Sequence, residues 1–210
     1  MGRKTVYNAI TSDEKIAQIN KKNMELVNDF LDYMRSIDRA PTTIKNYRAD
    51  LLVFFCWCLE HLDNKYFVDL TKREIARFQS YALTEWGWSS NRTRNVKSVL
   101  SSLSNYIENI LDDEIKGFKP IIRKIEDPVK QPAREKTVFS KGELTKLLDY
   151  LVERKQYQKA CALALAIASG RRKSELCRLK VSHFSEENII YGSLYKTPEL
   201  IKTKGRGKGK

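Results

Sequence analysis

Between Pro41 and Leu62 the residues Ile44, Tyr47, Leu51, Phe54, Phe55, Cys58 and Leu62 recur at three- and four-residue steps. That period draws one continuous apolar stripe along an α-helix, whereas a strand would alternate every second residue. A long helix with one apolar face has to be covered by other helices. The same period runs through Ile16, Ile19, Val27, Phe30, Leu31 and Met34, where Ser12 followed by Asp13 and Glu14 marks a start. Thr71 and Glu74 have capping-box spacing for a third helix, with Ile75, Phe78 and Ala82 inward. Gly87 breaks the chain, and a fourth helix runs from about Ser90 with Val96, Val99, Leu100, Leu103, Tyr106, Ile107 and Ile110 inward. Four helices joined by short turns predict a compact bundle over residues 12–112, preceded by a flexible arm at residues 1–11.

Residues 113–136 hold Pro120, Pro128 and Pro132, many charges and little periodicity, and read as a basic, partly extended linker able to lie along a phosphate backbone. A second domain spans residues 137–210. Ser140 or a neighbour caps a helix with Leu144, Leu147, Leu148 and Leu151 inward. The next helix, Tyr157–Ser169, has almost no polar face and is expected at the centre of a core. Gly170 ends it, a short helix follows around residues 174–179, and strands are expected at 181–184, 188–191 and 200–202. The fold class is mainly α, with an α+β second part.

The chain carries 39 Lys and Arg against 26 Asp and Glu, a formal net charge of +13. Residues 1–116 hold 17 basic and 16 acidic side chains, and residues 117–210 hold 22 and 10, so the excess sits in the second half. Such an excess favours a polyanionic partner: nucleic acid in the first place, an anionic membrane surface in the second. No apolar run is long enough to span a bilayer; the longest is residues 160–168. Cys56, Cys58, Cys161 and Cys177 form no C-x-x-C pair, and His61 and His183 complete no zinc pattern. Reduced, buried thiols in a cytosolic protein without metal or cofactor are the expectation.

The most specific stretch is Ser169-Gly170-Arg171-Arg172-Lys173-Ser174-Glu175-Leu176. A glycine ends an apolar helix, arginines occupy the turn, and a glutamate three residues after Arg172 can orient it. Arginine suits a phosphodiester because its planar fork donates two parallel hydrogen bonds and stays charged. From these residues alone a helix-capping glycine followed by surface arginines fits equally well.

The stretch resembles the first active-site box of the tyrosine recombinase (phage integrase) family, roughly T-G-x-R-x-x-E-L. Ser169 stands where Thr is common, and Arg171 where an apolar residue is more usual. The resemblance implies that Arg172 is the catalytic arginine and Glu175 the acidic residue supporting it. The Pro41-Thr-Thr-Ile-Lys-Asn-Tyr47 segment resembles the helix that opens the DNA-gripping part of that family's core-binding domain. Ser90-Asn-Arg-Thr-Arg-Asn-Val-Lys97 resembles the start of its last helix. The polar residues there, Thr42, Thr43, Lys45, Arg48, Arg92, Arg94 and Lys97, become candidate phosphate ligands; a merely solvated helix face is the other reading. The terminal Lys-Thr-Lys-Gly-Arg segment resembles the β-hairpin turn of the family's catalytic lysine, with Lys204 the best match and Lys202 the second. A lysine there would protonate the leaving 5′ oxygen.

The implied fold is an N-terminal four-helix SAM-like core-binding bundle followed by the truncated α+β start of a tyrosine recombinase catalytic domain. The implied function is DNA integration and recombination for a mobile genetic element, through a phosphotyrosyl intermediate. The partner is double-stranded DNA, clamped by a homo-multimer on paired sites, in a bacterial or phage-encoded cytoplasmic protein associated with the nucleoid. No metal, cofactor or membrane is implied. The 210 residues contain no H-x-x-R box; His183 is followed by Phe184, Ser185 and Glu186. Tyr191 and Tyr195 lie too early to match the family's nucleophile. Three outcomes are open: the N-terminal part of an integrase, a non-catalytic DNA-binding derivative that regulates or competes with a full-length relative, or an unrelated helical protein that binds DNA or a membrane surface.

Overall fold

In the computed structural model, which describes residues 6–130, 137–199 and 201, the fold is mainly helical with one two-stranded sheet. It divides into two compact units, one within residues 1–133 and one within residues 134–210.

The first unit is built around α4, Pro41–His61, whose proline at the first helical position starts the helix without forfeiting a hydrogen bond. Every residue from Asp50 to Cys58 is buried. The apolar stripe therefore understates α4, which is wrapped by α1 (Val6–Ile10), α2 (Asp13–Gln18), α3 (Lys21–Ser36) and α6 (Ser90–Ile110). The other long helix, α5 (Lys72–Thr84), packs on α6. Its N-terminus carries the full capping box: Thr71 Oγ1 accepts from Glu74 N, and Glu74 Oε2 accepts from Thr71 N at 2.7 Å. Between α4, α5 and α6 lies an aromatic cluster, with Phe54 and Phe78 edge to face at 4.9 Å and Trp57 5.2 Å from Phe78.

Two features at the start of this unit differ from the sequence expectation. Residues 6–10, expected in a flexible arm, form α1, and Ile10 is buried. The single helix expected from Ser12 is broken: Ile19 leaves the helical region with ψ 139°, and Asn20 caps α3. The cause is tertiary. Asn64, beyond α4, accepts from Asn20 N at 2.8 Å and donates to Gln18 O at 2.6 Å, so it takes up backbone groups freed by the break.

Residues 113–125, read as linker, also pack onto this unit. Ile115, Phe118, Ile121 and Ile125 lie against the core, and Ile122 is 1% exposed within the 3-10 turn Ile122–Lys124, against α5 and α6. Their irregular spacing among charges and prolines hides an apolar face that no helical or strand period could disclose.

In the second unit α7 (Lys141–Glu153) carries a capping box from Ser140 and Glu143. Next, α8 (Tyr157–Ser169) packs on α7 and on α9 (Lys173–Leu176). The apolar α8 was expected to be central, yet among the described residues only its Ala160 is buried, and Tyr157 and Ile167 are exposed. Two neighbouring helices cannot enclose a helix that is apolar all round. The expected strand at 181–184 is a 3-10 turn, Val181–Phe184. A hairpin does form, with β1 (Ile189–Ile190) antiparallel to β2 (Leu194–Tyr195) and Ile189 opposite Tyr195. Its turn carries Tyr191 and Gly192 at φ 52° and 77°. The strand expected at 200–202 falls mostly outside the described residues; Ile201 is buried and not in a strand. Cys56 and Cys58 are buried, as expected, and burial pushes the Cys56 thiol up to about 11; Cys161 and Cys177 are exposed, against expectation.

Candidate nucleic-acid interface and phosphate-binding turn

The polar candidates of the first unit lie on two helices. On α4, Thr42, Lys45 and Arg48 are exposed and Thr43 is half-buried. Three-residue steps keep Thr42, Lys45 and Arg48 on one side of the helix. Neither Lys45 nor Arg48 takes part in an ion pair among the described residues.

The three cations of α6 are not equivalent. Arg94 and Lys97 are three residues apart and share a face, whereas Arg92 is turned away from it. Arg92 Nη2 donates to Asp50 Oδ1 on α4 at 2.6 Å, and its guanidinium lies 5.0 Å from the centre of the Trp88 ring. Asp50 is buried, so this pair supplies the counter-charge its carboxylate requires. An open groove of about 600 Å³ runs beside it, lined by Asn46, Ala49 and Asp50 of α4 and by Arg92, Asn95 and Ser98 of α6. Asp50 is an acid within a run of apolar residues, and that was the sequence signal for a buried partner.

On the other face, residues 125–128 occupy Arg94 and Lys97. Lys97 Nζ lies 2.8 Å from Asp127 Oδ1 and donates to the Ile125 carbonyl. Arg94 Nη1 donates to the Pro128 carbonyl at 3.1 Å, and its Nη2 lies 3.3 Å from Asp127 Oδ2. The described contacts do not bring Thr42, Thr43, Lys45 or Arg48 to these three cations. Sequence reasoning missed Asp127 altogether, because nothing in the local pattern shows that it returns to α6.

The second unit contains the Arg172 turn. Gly170 closes α8 in the left-handed conformation, φ 58°, and donates to the Ala166 carbonyl at 3.0 Å. The chain then reverses into α9, with Arg172 at the position preceding that helix. Glu175 Oε1 accepts from Arg172 Nη1 at 3.2 Å, and Oε2 accepts from the Arg172 backbone N–H at 3.3 Å. The two side chains differ sharply in exposure: Glu175 is 6% exposed and Arg172 66%. Burial raises the Glu175 carboxyl, but the hydrogen bonds from Arg172 and the charges of Arg172 and Arg171 outweigh it, holding the group below the ordinary carboxylate range. Glu175 is thus an anionic anchor beneath an arginine whose outer nitrogens face solvent. That arrangement can present a fixed pair of donors to an oxyanion.

His183, in the 3-10 turn, is buried; its Nδ1 accepts from Lys180 N at 3.3 Å, which places the proton on Nε2, 3.3 Å from Glu199 Oε1. Lys180 and His183 together hold the Glu199 carboxyl below its ordinary range. Tyr191 and Tyr195 are exposed on the hairpin. Lys202 and Lys204 lie outside the described residues. Among the described residues no group of His, Cys, Asp and Glu could hold a metal ion, and no helix is long and apolar enough to cross a membrane.

Comparison with known proteins adds three findings. Residues 26–117 match the phage integrase N-terminal SAM-like domain. The SPbeta prophage-derived recombinase-like protein YomM of Bacillus subtilis (strain 168) is 31% identical over 196 residues, which cover 92% of this chain and 57% of the relative. No solved structure matches. The match falls on the bundle formed by α3 to α6, and the relative extends the likeness across the Arg172 turn; both findings support kinship with the tyrosine recombinase, or phage integrase, family.

Proposed function

We propose that this chain binds duplex DNA as part of a site-specific tyrosine recombinase. The first unit grips the backbone through Thr42, Thr43, Lys45 and Arg48 on α4 and Arg94 and Lys97 on α6, with Arg92, expected from the sequence to join them, held instead by Asp50, and the second presents Arg172 to the scissile phosphate. The observation that carries this reading is the exposed Arg172 guanidinium fixed by the buried Glu175 carboxylate. Positioned donors of this kind act where charge develops on the non-bridging oxygens, and they need no reorganisation when it does. Tethering two weak DNA-binding units raises the effective concentration of the second once the first is bound. In the same reading Lys204, or Lys202, acts as general acid toward the leaving 5′ oxygen, the protein works as a multimer on paired sites of a mobile element, and its place is the cytoplasm, on the nucleoid.

The covalent step requires a tyrosine that attacks the phosphorus, forms a 3′-phosphotyrosyl bond and expels a 5′ hydroxyl. The 210 residues carry no H-x-x-R, and Tyr191 and Tyr195 sit on the short hairpin soon after the Arg172 turn. The 210-residue chain therefore binds without cutting. The test is incubation with a nicked suicide DNA duplex at about 50 mM salt, where phosphate-directed binding is strong. Retarded DNA without a covalent adduct is expected. Absence of any binding would refute the DNA reading, and a phosphotyrosyl adduct would refute the claim that the nucleophile is missing.

A further inference from the structure

Arg94 and Lys97 are two of the cations just assigned to DNA, yet the chain itself already occupies them. The occupant is short and well held. The buried Ile122 anchors it upstream, and Gln79 Nε2 donates to the Glu126 carbonyl at 3.0 Å. From there the Ile125 and Pro128 carbonyls accept from Lys97 and Arg94, and the Asp127 carboxylate sits between the two cations, one oxygen toward each. Lys97 is only 12% exposed at its side chain, so in this arrangement it has little room for an outside ligand.

The surroundings of Asp127 suit an anion larger than a carboxylate. An open hollow of about 380 Å³ lies there, lined by Arg94, Lys97 and Arg123 and by the hydroxyl-bearing Ser98 and Ser101. Three cations and two hydroxyls line the hollow, and Asp127 is the single acid among its described lining residues; Arg123 also donates to Asn105 Oδ1 and lies 4.0 Å from Glu108 Oε2. A carboxylate with one oxygen to each of two cations makes the same charge-assisted contacts as two non-bridging oxygens of a phosphodiester. We infer that this hollow is a backbone-phosphate site of the first unit, extended by Arg123, Ser98 and Ser101, and that Asp127 is its resting occupant, displaced when DNA arrives. This rests on the DNA-binding reading and adds to it a built-in competitor that lowers affinity away from DNA. The contacts to be displaced are partly exposed ion pairs, which keeps the competition weak enough to be reversed.

The test uses the full 210-residue chain. DNA affinity is measured at about 50 mM salt for wild type, Asp127→Asn, Glu126→Gln, and Asp127→Asn combined with Lys97→Gln against Lys97→Gln alone, with thermal melts to confirm folding. Glu126→Gln is the control for bulk charge: it removes one negative charge next door, from a side chain outside the ion pairs described above. Displacement gives Asp127→Asn an affinity gain of about five-fold over wild type, clearly above that of Glu126→Gln, and the gain shrinks to the control's level once Lys97 is gone. Equal gains for Asp127→Asn and Glu126→Gln, with DNA binding intact, would overturn the competitor alone. Failure of every variant, wild type included, to bind DNA would remove the DNA reading and this inference with it.

Discussion

Salt dependence gives the proposed DNA interface a number, because each phosphate neutralised on B-DNA contributes about −0.9 to the slope of log affinity against log salt. For α4 and α6 of the first unit, the structure indicates how many of the proposed cations are able to contribute. Lys45 and Arg48 stand outside the ion pairs and count as two. Arg92 is balanced by the buried Asp50 and counts as none. Arg94 and Lys97 share one carboxylate, so they count as one with Asp127 in place and two with it displaced. The expected contribution of these two helices to the slope is then about −2.7 if Asp127 stays and about −3.6 if it leaves. Raising salt from about 50 to about 200 mM separates the cases: the share of affinity carried by these helices falls about 40-fold in the first and about 150-fold in the second. Lys45→Gln is the decisive perturbation, since its head is exposed on α4 and its loss should cost no packing. Fluorescence anisotropy on a fixed duplex at four or more salt concentrations should show the slope shallower by about 0.9 and the melting temperature unchanged. A slope identical to wild type would mean that Lys45 touches no phosphate, and the α4 face would lose its assignment. A wild-type slope near zero would refute phosphate contact as the basis of binding.

Phe78→Ala removes a ring that is 2% exposed and packed edge to face on Phe54, and it should cost about 3–5 kcal/mol, read as an earlier denaturant midpoint of the first unit's unfolding. Glu175→Gln should lower the stability of the second unit at neutral pH and loosen Arg172. The sign follows from the depressed carboxyl. Between its folded and unfolded values the unfolded chain binds more protons, so the Glu175 contribution is complete above the ordinary carboxylate range and disappears as pH falls through the lowered value. Melts from neutral pH downward should therefore show wild type and variant converging only in strong acid; a constant gap would mean that the carboxylate is not what holds the turn.

The helices that were legible in the sequence are those whose signals are local. Thr71 with Glu74, Pro41 at a helix start and Gly170 at a helix end act through neighbours a few residues away, and each marks its boundary where the chain adopts it. The break at Ile19 was invisible because its cause, Asn64, lies more than forty residues along the chain. The packing of residues 113–125 was hidden for a related reason: Ile115, Phe118, Ile122 and Ile125 are spaced for an irregular path that only α5 and α6 define.

The same division runs through the candidate site. Arg172 and Glu175 are joined within one turn, so three-residue spacing was enough to pair them, and the structure adds only how deeply the carboxylate is buried. Arg92, Arg94 and Lys97 looked alike in sequence because a helical run of cations carries no record of what faces it. Their separation into one balanced by Asp50 and two held by Asp127 depends on residues 42 positions before Arg92 and 30 or more after Lys97 and Arg94. Asp127 lies where a linker-like context disguised it, whereas Asp50 is marked by its apolar neighbours but its partner is not. In a basic protein that meets a polyanion, the carboxylates seated on its cations set how many charges DNA can use, and only the fold reveals where they sit.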